Sequence, residues 1–409
     1  MKKISIVGGG QSGLQLGIGL LKKGYDVKII QDRTPDQIAS GSVLSSQCQF
    51  DAALEHEREL GIEFWGDTCP AVEGISFSVP NPNGPGKVID WAARLDNNAQ
   101  SVDQRVKMPR WVEEFCRLGG ALVIATADIA SLEAEVKSSD LVIVASGKGE
   151  VGKLFERDAQ RSTFDAPQRA LALTYVHGMK PREEHSAVSF NLIPGVGEYF
   201  VFPALTKTGP CEIMVFEGVP GGPMDCWKDV KAPQAHLATS LKILETFTPW
   251  EHARCKNVEL TDANGVLAGR FPPTVRKPIG TLPSGAKVLG LGDAVCLNDP
   301  ITGQGANNAS KAAAIYLDAI VAQGERQFDE VWMQAVFEQF WDYANWVVRW
   351  TNMMLLPPPP FVLKLMGAAQ EIPPLARRIT NGFDDPRDFF PWFAEETAAE
   401  DYLKSFEAA

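Results

Sequence analysis

The sequence predicts an α/β fold in which nucleotide-type βα elements are interleaved with a β-sheet domain and followed by C-terminal helices. Three observations predict it. The chain opens as β-turn-α-β: Ile4, Ile6 and Val7 form an apolar run, and after a glycine turn Leu14, Gly17, Ile18 and Leu21 recur at helical spacing. A βα-like pattern returns at about 104–146, and a strand at Lys287 to Gly292 leads to an alanine-rich helix, Asn307 to Val321. Between them, and again from about 165 to 260, shorter apolar stretches are broken by Gly/Pro turns.

Each element has its own justification. Gly24 closes the first helix, and Val27 to Ile30 is a second buried strand. Arg105 opens a helix containing Trp111, Val112 and Phe115, and Leu141 to Ala145 is an apolar strand. Ala170 to Val176, Tyr199 to Phe202 and Cys211 to Phe216 are strands of the insertion. The end of the chain is helical and aromatic-rich, interrupted by Pro357 to Pro360. Its stripe Trp332, Val336, Phe340, Tyr343, Val347 and Trp350 reads as packing across the back of the domain. The expected boundaries are 1–75, 104–160 and 266–325 for the nucleotide-binding domain. Segments 76–103 and 161–265 form the β domain that takes substrate, and 326–409 the C-terminal helices.

Composition excludes several function classes. With 409 residues the chain exceeds one domain of roughly 100–200 residues. A formal charge of -12 and the absence of a Lys/Arg run disfavour a nucleic-acid surface. No apolar stretch approaches the ~20 residues that cross a bilayer, and a strand beginning by Lys3 leaves no room for a secretory signal. Seven scattered cysteines without a CxxC read as reduced thiols, so a cytoplasmic location is expected. Five histidines without metal-ligand spacing predict no metal site.

Gly8-Gly9-Gly10-Gln11-Ser12-Gly13 satisfies G-x-G-x-x-G directly after a strand and at the head of a helix, the context in which the pattern means dinucleotide binding. Gly8 makes the tight turn, Gly10 lets a pyrophosphate approach, and Gly13 lets helix and strand pack closely. Gln11 and Ser12 stand in the first helical turn, whose amides and dipole favour an anion. A ribose-binding acid is expected ~20 residues on. Gln31 occupies the usual acidic position and Asp32 the next. Asp32 can still reach a ribose and Arg33 can stack near an adenine; a solvated strand end is the alternative.

A second motif reads Gly290-Leu291-Gly292-Asp293-Ala294, then Asp299-Pro300-Ile301-Thr302-Gly303-Gln304-Gly305-Ala306-Asn307. Asp293 can accept from ribityl hydroxyls, and Gly303, Gln304, Gly305, Ala306 and Asn307 can aim backbone N–H groups at a developing anion. The helix dipole favours negative charge beside it, as a reduced isoalloxazine requires. The alternative is an Asp-Pro loop before a well-capped helix.

Nearly the whole chain resembles the FAD-dependent aromatic monooxygenases of the para-hydroxybenzoate hydroxylase fold, which is Rossmann-like in its FAD-binding part. Within that class it is similar to the oxygenase component of two-component styrene and indole monooxygenases. The two motifs carry the resemblance together with Met1-Lys2-Lys3, Asp32-Arg33, Val102-Asp103 with Arg105, Ser146-Gly147-Lys148, Pro167-Gln168-Arg169-Ala170-Leu171 and Arg349-Trp350-Thr351-Asn352. The resemblance implies FAD delivered reduced (FADH2) by a separate NADH-dependent flavin reductase, and O2 as co-substrate. It implies epoxidation of indole, an indigo precursor, or of a styrene-like alkene by a flavin C4a-hydroperoxide. It also implies cofactor contacts from Gly147, Gly292, Pro300 and Arg105, the last to the FAD phosphates or ribityl chain. A homodimer is compatible with it. The strand exit Ala145-Ser146-Gly147-Lys148 lacks the Asp-Gly pair of single-component relatives, and no second G-x-G-x-x-G is present, so reducing equivalents are expected from outside. Since the cofactor carries the hard chemistry, no Ser-His-Asp or paired-carboxylate constellation is expected.

Substrate contacts are sought in Ser45-Ser46-Gln47-Cys48-Gln49-Phe50. Extended, this places Ser45, Gln47 and Gln49 on one face. On sequence alone that face is more plainly solvated than inward. The resemblance turns it inward, between flavin and substrate, and makes Ser45, Gln47 and Gln49 candidate catalytic residues. Ser46, Phe50, Val72, Ile75 and Ala99 are the implied substrate contacts. Ser45-x-Gln47, Val72, Ile75 and Ala99 match the indole branch, while Gln49 departs from its Met, so indole is favoured. The alternatives are a single-component NAD(P)H-dependent aromatic hydroxylase, a flavin-dependent halogenase (weakened by the lack of Trp-x-Trp-x-Ile-Pro) and a non-catalytic flavin-binding redox protein.

Overall fold

A computed structural model describes residues 2–147 and 149–407. Met1 and Lys148, both part of segments named above, lie outside the described residues. The strands run in chain order as β1 (Lys3–Val7), β2 (Asp26–Gln31), β3 (Ala71–Pro80), β4 (Lys87–Gln100), β5 (Ala121–Ile124) and β6 (Leu141–Val144). Then come β7 (Ala170–His177), β8 (Ala187–Ile193), β9 (Gly197–Thr206), β10 (Gly209–Gly218) and β11 (Glu259–Leu260). The series continues with β12 (Val266–Gly269), β13 (Thr274–Val275), β14 (Ile279–Thr281) and β15 (Lys287–Gly290).

The first sheet has the order β14-β15-β6-β1-β2-β5 and is parallel except at its β14 edge. β1 lies at its centre because Ile4, Ile6 and Val7 are buried on both faces, as a parallel strand covered by helices must be. Ile6 is in register with Ile29 of β2 and Ile143 of β6. The helices Gln11–Lys22, Gln104–Arg117 and Gly305–Gln323 pack together against this sheet. Gly19 makes the helix contact close, since a Cβ there would stand 2.6 Å from a Leu317 methyl. Trp111 is wholly buried, and its indole N–H donates to the Ile62 carbonyl at 2.9 Å.

The second sheet has the order β11-β7-β10-β9-β8-β3-β4, with β12 also on β7. The parallel pair β3–β8 joins chain from before and after the second stretch of the first sheet. The chain therefore visits each sheet more than once. The helix Glu330–Met354 ties the two layers together rather than covering one back face. Val336 and Phe340 pack with the first sheet's core, Trp350 with the aromatic cluster over the second, and Trp332 and Tyr343 are half-buried. No helix among the described residues is long and apolar enough to cross a membrane.

Candidate active site

The carboxyl ends of β15, β6 and β1 are neighbours, so both motifs emerge at one edge of the first sheet. Gly8 adopts φ +116°, and its amide donates to Ile30 O at 2.9 Å. A Cβ on Gly13 would stand 2.0 Å from the Gly8 carbonyl oxygen, which is why the third glycine is needed. Gly10 caps the helix with no side-chain hydrogen bond and has open space where a Cβ would project. The first amides of that helix thus face a cradle suited to an anion. The two motifs touch: a Cβ on Gly292 would lie 2.6 Å from the Ser12 hydroxyl, and one on Gly147 would lie 2.9 Å from the Asp293 carbonyl oxygen.

Gln31, not Asp32, stands over the glycine turn. Its side-chain carbonyl is buried without a hydrogen-bond partner and would lie 1.8 Å from a Cβ on Gly9, while its amide donates to Arg33 O at 2.7 Å. Asp32 is exposed at the strand end, 3.5 Å from the Arg33 guanidinium. An orphaned buried acceptor beside a phosphate cradle suits a ribose hydroxyl.

Asp293 is exposed on a single 3₁₀ turn, Gly292–Ala294. The helix Gly305–Gln323 begins without a side-chain cap, so the well-capped alternative does not describe it. Gly303 is left-handed at φ +65°, and Gly305 is exposed with open space around it. The side chains of Gln304 and Asn307, expected to serve only through backbone N–H, bind within the protein. The Gln304 side chain is buried and donates to Phe383 O at 2.8 Å. Asn307 accepts from the Phe50 amide at 2.8 Å and donates to Cys48 O at 2.8 Å and Gly303 O at 2.9 Å. Asn307 thus braces the turn against the Cys48–Phe50 segment, and the Gln304 amide braces it against Phe383. What it can offer a cofactor is backbone N–H from Gln304 to Asn307, since the Gly303 amide donates to Pro300 O at 2.7 Å.

Ser45, Gln47 and Gln49 do share one face, but it turns away from the site cavity. Ser45 donates to Gln47 Oε1 at 2.8 Å and accepts from Gln104 at 2.9 Å, and the Gln47 amide donates to Val102 O. Gln49 donates to Glu57 at 2.8 Å and accepts from Lys107, and Gln11 joins the same Glu57 oxygen at 3.0 Å. Lys107 and Glu57 form a fully buried ion pair, and burial lowers the Lys107 pKa. Gln49 is therefore a structural member of a buried network, which corrects its catalytic assignment. The opposite face, Ser46, Cys48 and Phe50, lines a cavity of about 30 Å³. Pro300, Ile301, Thr302 and Gly303 form one wall, and Val188, Phe190, Phe200, Phe202 and Val215 of the second sheet form the floor. Val72, Ile75 and Ala99 are buried nearby, in the same apolar core as Phe50, but do not line the cavity.

Arg105 does not reach out to a cofactor. It is buried, with its guanidinium on Asp103 (2.7 Å), Asp262 (3.0 Å) and Thr206 (3.2 Å). Burial alone would lower its pKa, but these carboxylates raise it. It clamps the start of its helix to the end of β9 and to the Asp262 turn.

Sequence reasoning missed a second buried cluster. Asp299, whose Oδ1 caps Ile301 N at 3.1 Å, is fully buried beside Glu217 of β10. Burial raises the pKa of both, and Glu217 is pushed further up by the Asp299 charge. The cation that acts on both, Arg169, is bound to Glu198 at 2.7 Å. The available signal was acids within otherwise apolar strands, Glu198 in β9 and both Glu212 and Glu217 in β10.

Two outcomes follow from these clusters. Arg105→Ala leaves Asp103 and Asp262 without their buried cation, so the ligand-free chain should lose about 3–5 kcal/mol in urea unfolding. A residue serving only as a cofactor contact would leave that stability unchanged. The Glu217–Asp299 pair holds a proton that unfolded carboxyls release above roughly pH 4.3. Its contribution to stability is thus full at low pH and is lost as pH rises. Between pH 5 and 7, Glu217→Gln should flatten the fall of unfolding free energy by up to about 1.4 kcal/mol per pH unit.

Residues 147–254 match the family model described as "Styrene monooxygenase A putative substrate binding domain". The chain is 29% identical over 397 residues to styrene monooxygenase StyA of Pseudomonas fluorescens, covering 94% of this chain and 93% of that protein. A Pseudomonas sp. styrene monooxygenase StyA matches to the same extent. Among solved structures, the flavin-dependent brominase Bmp2 superposes with a TM-score of 0.68 at 14% identity, over 100% of this chain and 99% of that one. A flavoprotein/dehydrogenase from Cytophaga hutchinsonii gives 0.68 at 16%, over 99% and 98%. The fold is the para-hydroxybenzoate hydroxylase-like fold of flavin-dependent oxygenases and halogenases. Along nearly its whole length the chain is similar in sequence to styrene monooxygenases, and within residues 147–254 to the model of their substrate-binding domain.

Proposed function

We propose that the chain is the oxygenase component of a two-component flavin monooxygenase that epoxidises an aromatic alkene, indole being the favoured substrate and styrene-like alkenes the others. The observation that carries this reading is the cavity beside Pro300–Gly303. Its lining holds no ionisable carboxylate, histidine or lysine, only aromatic and aliphatic carbon with Ser46, Cys48 and Thr302. The Thr302 hydroxyl is engaged with that of Thr351 at 2.7 Å. A phenol would call for a base to deprotonate it; an alkene needs only orientation and dryness.

FAD is the cofactor. The residues that would hold it are the open amides after Gly10, the Gln31 carbonyl, Gly147, and the backbone amides from Gln304 to Asn307. Bound in its reduced form, it would supply the two electrons that activate O2, one oxygen atom of which goes to the alkene and the other to water. The uncapped helix at Gly305 favours negative charge at that place. The phenylalanines exclude water, and Ser46 is the hydroxyl able to accept an indole N–H. A separate NADH-dependent flavin reductase is the proposed electron source and the cytoplasm the proposed location, on the sequence arguments above.

The test pairs the purified chain with any NADH-driven flavin reductase, FAD, and styrene or indole. Epoxide from styrene and blue pigment from indole are expected only with the reductase present; NADH oxidation by the chain alone would overturn the two-component reading. Ser46→Ala should lower indole product relative to styrene by the roughly 0.5–1.5 kcal/mol of a neutral hydrogen bond, about 2- to 12-fold. Gln47→Ala, which loosens the segment from behind, should reduce both products alike.

A further inference from the structure

We propose that Phe383, on the turn after the C-terminal helix Pro373–Asn381, is the wall that sets how large an aromatic the cavity beside Pro300–Gly303 accepts. The class of ligand, an aromatic alkene, rests on the function proposed above.

The cavity takes its lining from the Ser46–Phe50 segment, the second sheet, the Pro300–Gly303 turn, and Phe383. In the chain Phe383 stands eighty residues past Gly303. In the fold it touches both of the loops that wall the cavity. Its ring lies 5.8 Å from that of Phe50, and its carbonyl accepts from the Gln304 side-chain amide at 2.8 Å. With a volume of about 30 Å³, room for roughly one water, the cavity gains or loses capacity with each lining side chain. The backbone amides that can face a cofactor begin at Gln304, the residue that holds Phe383. An aromatic brought between that cofactor and the sheet floor therefore meets this ring.

A wall selects by size only if it cannot drift, and this one is fixed along its backbone. Lys311, two turns beyond Gln304 on the same helix, donates to Asp384 O at 2.8 Å. The Asp384 carboxylate accepts from Ala52 N at 2.8 Å, and the Asn381 side chain accepts from the Asp96 amide of β4 at 2.8 Å. Trp350 meets the Phe383 ring edge to face at 4.9 Å and stacks on Phe389 at 4.6 Å. A Cβ on Gly382 would stand 2.4 Å from a Phe389 ring carbon, so glycine lets the turn sit directly on that ring. Three separate parts of the chain thus converge to hold one side chain that does no chemistry of its own.

The test reads binding, not turnover. Fluorobenzene and 1-fluoronaphthalene are titrated by ¹⁹F NMR against the full chain with FAD present, and the ratio of their Kd values is compared between variants. Phe383→Leu should favour 1-fluoronaphthalene over fluorobenzene by about ten-fold relative to wild type, and Phe383→Trp should disfavour it by a similar factor. Loosened packing would instead move both variants in the same direction. Phe389→Leu, in the same aromatic cluster but outside the cavity lining, should keep the wild-type ratio. Phe383→Leu against Phe389→Leu decides the matter even if the tryptophan variant does not fold. A wild-type ratio in Phe383→Leu would overturn the proposal, as would an equal shift in Phe389→Leu or failure of the wild-type chain to bind either arene. No reductant is present and no oxidation is read, so failure to epoxidise aromatic alkenes would remove the proposed function and leave this result standing.

Discussion

Two helix N-termini from opposite ends of the chain must meet at one edge of a parallel sheet, and the remaining structure is arranged around that constraint. β15, β6 and β1 are adjacent and parallel, so Gly292, Gly147 and Gly8 leave the sheet side by side. Each of the two helices starts without a side-chain cap, leaving amides whose natural partner is an anion. Had either been capped from within, the site would lose its attraction for phosphate or for a reduced flavin ring.

Holding those two helices in place uses both faces of one extended segment. On its inner face Ser46, Cys48 and Phe50 meet the cavity. On its other face Gln47 reaches Val102, and Gln49 enters the Lys107–Glu57 pair that also receives Gln11 from the first helix. Asn307 then fastens the segment's backbone to the second helix. Strand alternation separates the two duties cleanly: one set of side chains supports the phosphate end, the other shapes the substrate end.

The same site is bordered by buried charge. Arg105 satisfies two carboxylates and a hydroxyl from separate segments, and so pins the two sheets to each other. Behind Pro300, Asp299 and Glu217 are left with a cation already engaged by Glu198. Burying such groups is costly for stability unless they are paired or protonated, so their retention beside the turn that walls the cavity points to a role in holding that turn.

Local sequence determined the glycine turn, the alternation of βα elements with a β-rich insertion, and the Pro300–Asn307 turn, because glycine conformations, strand periodicity and helix starts depend on residues close in the chain. It also placed Ser45 to Phe50 at the site through its resemblance to a family. The resemblance turned Ser45, Gln47 and Gln49 inward, whereas Ser46, Cys48 and Phe50 line the cavity, since period two leaves both faces equivalent until Glu57, Lys107 and Gln104 arrive from elsewhere. Nor could local sequence tell that Gln31 rather than Asp32 overhangs the turn, that Arg105 is spent on Asp103 and Asp262, or that Glu217 meets Asp299. Those outcomes depend on side chains brought within hydrogen-bond reach by packing two sheets, and distances across a fold are not written in neighbouring residues.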